Sequence, residues 1–120
     1  MKTSSAAPRR IELAELVDRL GESSRPELWN VLTDDYFTGE LIPGSRRVPL
    51  DTVVRTARAE RRERDAEWVV YCSGPDCPQS RLAAEKLAAA GYSNVRFFEG
   101  GLAAWKGSGR PVLAVAETAA

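Results

Sequence analysis

Between Trp68 and Leu87 the chain reads Trp-Val-Val-Tyr-Cys, then Ser-Gly-Pro-Asp-Cys-Pro-Gln, then Ser-Arg-Leu-Ala-Ala-Glu-Lys-Leu. A continuous β-prone run followed by turn residues is the pattern of a buried central strand, here over Glu67 to Tyr71. Beyond the loop, Leu82, Ala83, Leu87 and Ala90 fall on one helical face, and Gly91 supplies a stop. The stretch is therefore a strand, a short loop and a helix, with Cys72 at the carboxyl end of the strand. A thiol there sits at the mouth of a helix N-terminus, where thiolates and anions are stabilised.

The rest of the chain repeats the alternation. From Arg10 to Leu20, the apolar residues Ile11, Leu13, Leu16, Val17 and Leu20 recur at threes and fours before Gly21, which predicts an amphipathic helix. Glu27 to Val31 suits a buried strand, and Asp34 to Pro49 is broken by Gly39, Pro43, Gly44 and Pro49 into loop, with a short strand at Arg46 to Val48. Asp51 or Thr52 can cap a helix whose apolar residues, Val53, Val54 and Ala57, lie near its start. Asn94 to Phe98 forms the next strand, Gly100-Gly101 opens a short helix through Trp105, and Pro111-Val112 packs as an end piece. Strands alternating with helices predict a single α/β domain with a mainly parallel sheet, over residues 10–113, between flexible tails at 1–9 and 114–120. Ligands of such sheets bind outside the carboxyl ends of the strands.

Composition narrows the chemistry. The 120 residues can bury a core without disulfide staples, and the 17 basic residues are balanced by 17 acidic ones, which favours neither nucleic acid nor a membrane surface as partner. The arginines crowded from Arg55 to Arg64 alternate with Glu60 and Glu63 and read as a solvated helix face. Two cysteines and no histidine exclude a zinc site built from Cys and His alone, and exclude histidine acid–base catalysis. No apolar run approaches the length of a membrane span and the start lacks a signal-peptide core, so a cytoplasmic location with reduced thiols is expected. Trp29, Trp68 and Trp105 lack a basic stripe and read as core. Gly100-Gly101 lacks the spacing and the downstream lysine of a phosphate loop.

Cys72 has a bland reading, as a small buried residue ending a strand, and a reactive one. The Gly/Pro loop leading straight into a helix favours the reactive one, because its backbone amides can encircle a thiolate, a persulfide or an oxyanion. Pro78 suits the first helical position, which would make Cys77 the N-cap. Cys77 is then a second reactive thiol, a resolving partner for Cys72, or a loop residue without a role.

The same residues resemble the rhodanese-like sulfurtransferase domains. The likeness rests on Val-Val-Tyr-Cys72 and its loop, on Ser80 to Leu87, and on Gly91-Tyr-Ser-Asn-Val95. It continues through Glu99-Gly-Gly-Leu-Ala-Ala-Trp105 and Gly109-Arg-Pro-Val112, and upstream Gly39 to Leu50 is similar to the family's Gly-His-Ile-Pro-Gly-Ala segment. The resemblance implies a five-stranded, mainly parallel sheet flanked by helices. It also implies a sulfurtransferase in which Cys72 attacks a sulfane-sulfur donor such as thiosulfate, becomes a persulfide and passes the outer sulfur to a thiol or other thiophilic acceptor. Ser73, Gly74, Pro75, Asp76, Cys77, Pro78, Gln79 and Ser80 would form the anion cradle, with no metal or organic cofactor. The partners implied are a small sulfur-containing anion or persulfide donor, a thiol acceptor, and a protein partner if the domain docks one.

The chain departs from that family in three places. Seven residues separate Cys72 from Ser80, two more than the family's usual loop, and they include two prolines without N–H groups and the negative Asp76. Gln79 stands where an arginine is frequent, leaving Arg81 as the nearest cation and the candidate for substrate binding. Asn30 replaces an aspartate that belongs to a structural acidic–basic pair. A phosphatase-like Cys-x5-Arg signature is not met from either cysteine. The competing readings are a non-enzymatic interaction module and a reversible Cys72/Cys77 redox switch.

Overall fold

The computed structural model describes residues 7–115. In chain order these form β1 (Arg9–Arg10), α1 (Leu13–Leu20), β2 (Glu27–Asn30), β3 (Glu40–Leu41), β4 (Arg46–Arg47), a 3-10 turn at Leu50–Thr52 leading into α2 (Val53–Ala59), β5 (Trp68–Tyr71), α3 (Gln79–Ala89), β6 (Val95–Phe98), α4 (Gly101–Gly107) and β7 (Leu113–Ala114). Five strands make one sheet in the order β1-β6-β5-β2-β4. Every pairing in it is parallel. The expected five-stranded α/β architecture is what the chain adopts, and no helix among the described residues is long and apolar enough to cross a membrane.

The period-two pattern of β5 explains the two layers around it. Trp68 and Val70 join Trp29, Val31, Val53, Ala57, Ala83 and Leu87 in a core beneath α2 and α3. Val69, Tyr71 and Cys72 join Ile11, Leu16, Leu28, Phe98, Leu102 and Trp105 in a second core beneath α1 and α4. Alternate side chains of a strand point to opposite faces, so a run apolar at every position belongs between two helical layers. All four β5 residues have no exposed surface. Within the first core, Trp68 meets Trp29 and Tyr92 edge-on, with ring centroids 5.0 and 5.1 Å apart.

Several boundaries differ from the sequence reading. α1 starts at Leu13 rather than Arg10, because Arg9 and Arg10 pair with Arg96 and Phe97 in β1 and the Ile11 N–H donates to the Phe97 carbonyl at 3.0 Å. Arg9, which the sequence assigned to the tail, is thus the first residue of the sheet. β3 and β7 form a separate antiparallel pair that the sequence did not suggest, with Glu40 opposite Ala114 and Leu41 opposite Leu113. α2 ends at Ala59, and Arg62 turns back to Glu27, which also binds Arg46 of β4. Of the expected tails at 1–9 and 114–120, residues 1–6 and 116–120 lie outside the described residues, while Ala114 is drawn into β7 by its pairing with Glu40.

Candidate active site

β5 delivers Cys72 to the carboxyl edge of the sheet, where the loop to α3 folds over it. The loop is fastened to the start of α4: the Leu102 N–H donates to the Cys72 carbonyl at 3.0 Å and the Ala103 N–H to the Ser73 carbonyl at 2.8 Å. Gly101 makes this approach possible. Its φ of +59° suits glycine, and a Cβ there would overlap the Cys72 carbonyl oxygen and lie 2.8 Å from the Gly74 nitrogen. Gly74 then accepts from the Cys77 N–H at 3.0 Å, closing a turn.

That turn corrects the capping expectation. Cys77 is not the N-cap; α3 begins at Gln79 with Pro78 before it, and the Pro78 carbonyl accepts the Leu82 N–H at 3.0 Å. With its own N–H held by Gly74, Cys77 belongs to the loop turn.

The sequence-predicted residues separate into three groups. Cys72 and Ser80 lie beneath the loop, with no exposure for Cys72 and 1% for Ser80. Ser73, Asp76, Cys77, Pro78 and Gln79 line a cleft of about 530 Å³, closed on its other side by Leu32, Tyr36 and Thr38. Gly74 is buried against α4, while Pro75 and Arg81 are exposed and outside the cleft lining. Asp76 is the one carboxylate among the residues lining that cleft, and none of them is a lysine or arginine.

The opposite wall is what sequence reasoning missed. Gln79 holds it: its Oε1 accepts the Thr33 N–H at 3.0 Å and its Nε2 donates to Thr33 Oγ1 at 3.1 Å. Gln79 is thereby a strut between loops. Buried Asn30 shapes the same wall, accepting the Leu32 N–H through Oδ1 at 3.1 Å. Arg47 donates to the Leu32 carbonyl at 2.6 Å and to Asp34 at 2.7 Å. Turn residues at Thr33 to Asp35 announced a loop here, but nothing local announced where it would pack. Tyr71 joins the segment before β4 to the sheet, its hydroxyl accepting the Ile42 N–H at 2.9 Å and sharing a 2.7 Å bond with Ser45.

The two cysteines are neighbours, joined through the backbone of one. The Cys72 thiol lies 3.3 Å from the Cys77 carbonyl oxygen, to which it donates, and the two side chains also interact directly. Burial pushes the Cys72 thiol up to about 11, helped by the Cys77 contact and opposed by the Ser80 hydroxyl and N–H. For Cys77, burial also acts upward, but Cys72, the Gln79 and Ser73 N–H groups and the Ser73 hydroxyl together bring it below the ordinary thiol value. Hydrogen bonds to a charged form favour that form. Cys77 is therefore the more acidic member of the pair, and its sulfur occupies donors that would otherwise face a bound anion. The arrangement suits sulfur exchange between thiols: a shielded basic thiol, an accessible acidic one, and a cleft at the second.

Comparison with known proteins agrees with this architecture. The family profile described as a rhodanese-like domain matches residues 12–108. The solution structure of a rhodanese-like domain from Anabaena sp is 27% identical, with a TM-score of 0.75 over 92% of this chain and 83% of that one. A Bacillus halodurans protein of 22% identity superposes with a TM-score of 0.75 over 88% of this chain and 77% of that one. A thiosulfate sulfurtransferase from Pseudomonas aeruginosa, 23% identical, gives a TM-score of 0.69 over 89% of this chain and 21% of that chain. The last two likenesses concern the fold. Comparison with curated proteins finds no match.

Proposed function

The chain belongs to the rhodanese-like domain family, and from that premise we propose that it is a sulfurtransferase in which Cys72 carries the transferred sulfur as a persulfide. The observation that carries this reading is the setting of the Cys72 sulfur. It lies at the carboxyl end of the central strand, with the Ser80 hydroxyl and N–H directed at it and a cleft-lining thiol in contact. Donors arranged in this way stabilise negative charge on sulfur without reorganising.

In the first half-reaction the protein takes the outer sulfur of a sulfane donor R–S–SH, and R–S⁻ departs with the electron pair of the broken S–S bond. In the second, an acceptor thiolate takes that outer sulfur and the Cys72 thiolate is released, with no net oxidation of the protein. The reaction as proposed uses no metal or organic cofactor. A cytoplasmic, reducing setting would keep both thiols available and supply thiol acceptors.

The test is to incubate the protein with a sulfane donor, alkylate, cleave before Asp76 and weigh the fragments. That cut separates Cys72 from Cys77. The expected result is one added sulfur on the Cys72 fragment, discharged by cyanide as thiocyanate. Absence of sulfur from that fragment with both thiosulfate and cysteine persulfide would rule the proposal out. The contact between the thiols also favours a redox-switch reading, whose mark would be loss of two hydrogens on mild oxidation, dependent on both cysteines.

A further inference from the structure

Cys72 has no exposed surface and does not line the cleft; Cys77 does line it. Cys72 belongs to the core cluster that includes Tyr71, Phe98 and Leu102, and it precedes the loop that the Leu102 and Ala103 amides hold down. A donor in the cleft meets Cys77 with the loop in place. To meet Cys72 it must lift that loop. Yet the Cys72 sulfur lies 3.3 Å from the Cys77 carbonyl oxygen, so a sulfur atom bound at Cys77 is held beside the buried one.

Resting on the reading that Cys72 is the sulfur carrier, we propose that Cys77 is the entry thiol of a two-cysteine relay, taking sulfur from a small organic persulfide in the cleft and handing it inward to Cys72. The first exchange is R–S–SH + Cys77–S⁻ giving Cys77–S–SH + R–S⁻. The Cys77 sulfur attacks the outer sulfur of the donor, and the donor thiolate leaves with the bonding pair. The second is Cys77–S–SH + Cys72–SH giving Cys77–SH + Cys72–S–SH. The Cys72 sulfur bonds to the outer sulfur, the bond to Cys77 breaks, and the Cys72 proton passes to Cys77. Neither step needs an external oxidant or reductant.

The surroundings of the pair set its direction. In exchange between thiols the more acidic thiol is the better leaving group and the more basic one the stronger nucleophile. The Ser73 and Gln79 donors stabilise Cys77 as the departing thiolate, while burial makes Cys72 the more basic partner. Transfer inward is therefore downhill, and it ends with the persulfide under the loop and away from solvent thiols. The cleft also selects the donor class. Asp76 is its charged lining residue, and Leu32, Tyr36 and Pro78 give it an apolar wall. A doubly negative donor such as thiosulfate is disfavoured there relative to a persulfide on an organic carrier.

Rapid-quench loading with cysteine persulfide tests the relay in the wild type and in Cys72→Ser, Cys77→Ser and Cys77→Ala variants. Cys72→Ser should still take up one sulfur and retain it on Cys77. Both Cys77 variants should load Cys72 about tenfold more slowly or worse. In the wild type, alkylation at successive times and cleavage before Asp76 should show the label on Cys77 before Cys72, a reading that needs no variant to fold. Full-rate loading of Cys72 in the Cys77 variants, or wild-type label on Cys72 with no earlier label on Cys77, would overturn the relay and leave Cys72 as the carrier. Wild-type sulfur that stops at Cys77 would overturn the carrier role itself, and the relay with it.

Discussion

The neighbours of Cys77 make its thiol more acidic than usual and burial makes that of Cys72 less so, so the two should part company in any reaction that needs a thiolate. Alkylation is such a reaction. A folded-state pKa below the ordinary value means the thiolate fraction is complete at lower pH; a raised one means it is reached only in alkali. Cys77 should therefore react first, with a rate that levels off at lower pH than that of an ordinary thiol. Cys72 should stay unmodified until the pH approaches about 11. Fragment masses after cleavage before Asp76 report both profiles. The opposite order of labelling would remove the basis for treating Cys77 as the acidic member of the pair.

The loop and α4 behave as one element because two amides of the helix bond to two carbonyls of the loop. Gly101 is the hinge of that arrangement, and Gly101→Ala forces a side chain into left-handed backbone and into the Cys72 carbonyl. Strain of that kind costs about 1–3 kcal/mol. Urea unfolding should show a loss of that order, and sulfur loading should fall with it; an unchanged midpoint would mean that α4 can dock without this contact. Elements of this kind divide cleanly into what a sequence reveals and what it hides. β5, its loop and α3 were legible because an apolar run, a Gly/Pro break and a helical apolar face are all local patterns. The β3–β7 pair was not, since two-residue strands far apart in the chain carry no periodicity. Nor was the far wall of the cleft: the Gln79–Thr33 strut joins residues 46 positions apart. The arginines from Arg55 to Arg64 read as a solvated helix face, and only the folded chain shows Arg62 reaching Glu27 beside Arg46. Likewise Cys77 was placed at a helix cap by the preference of Pro78, a local signal overridden by the turn to Gly74.

At the scale of the whole molecule, equal numbers of positive and negative residues conceal an uneven distribution around the site. Arg47, which bonds the Leu32 carbonyl of the cleft wall, pairs with Asp34, and Lys106, in a neighbouring hollow with Thr38 and Ser73, pairs with Glu40 at 2.8 Å. Asp76 remains to set the sign at the cleft itself. Asp76→Asn should raise the rate of loading from thiosulfate about threefold, the worth of one screened charge at short range in water, and should raise it more than the rate from cysteine persulfide. Equal changes with the two donors would show that charge does not decide between them. The fastening of the loop to α4 has a further consequence in time rather than space. The Leu102 and Ala103 amide protons are sealed by the same two bonds that keep Ser73 over the buried sulfur, so the roof cannot lift without releasing them to solvent. Their exchange rate is a clock on the site, and it sets the ceiling on how often Cys72 can be visited directly from outside.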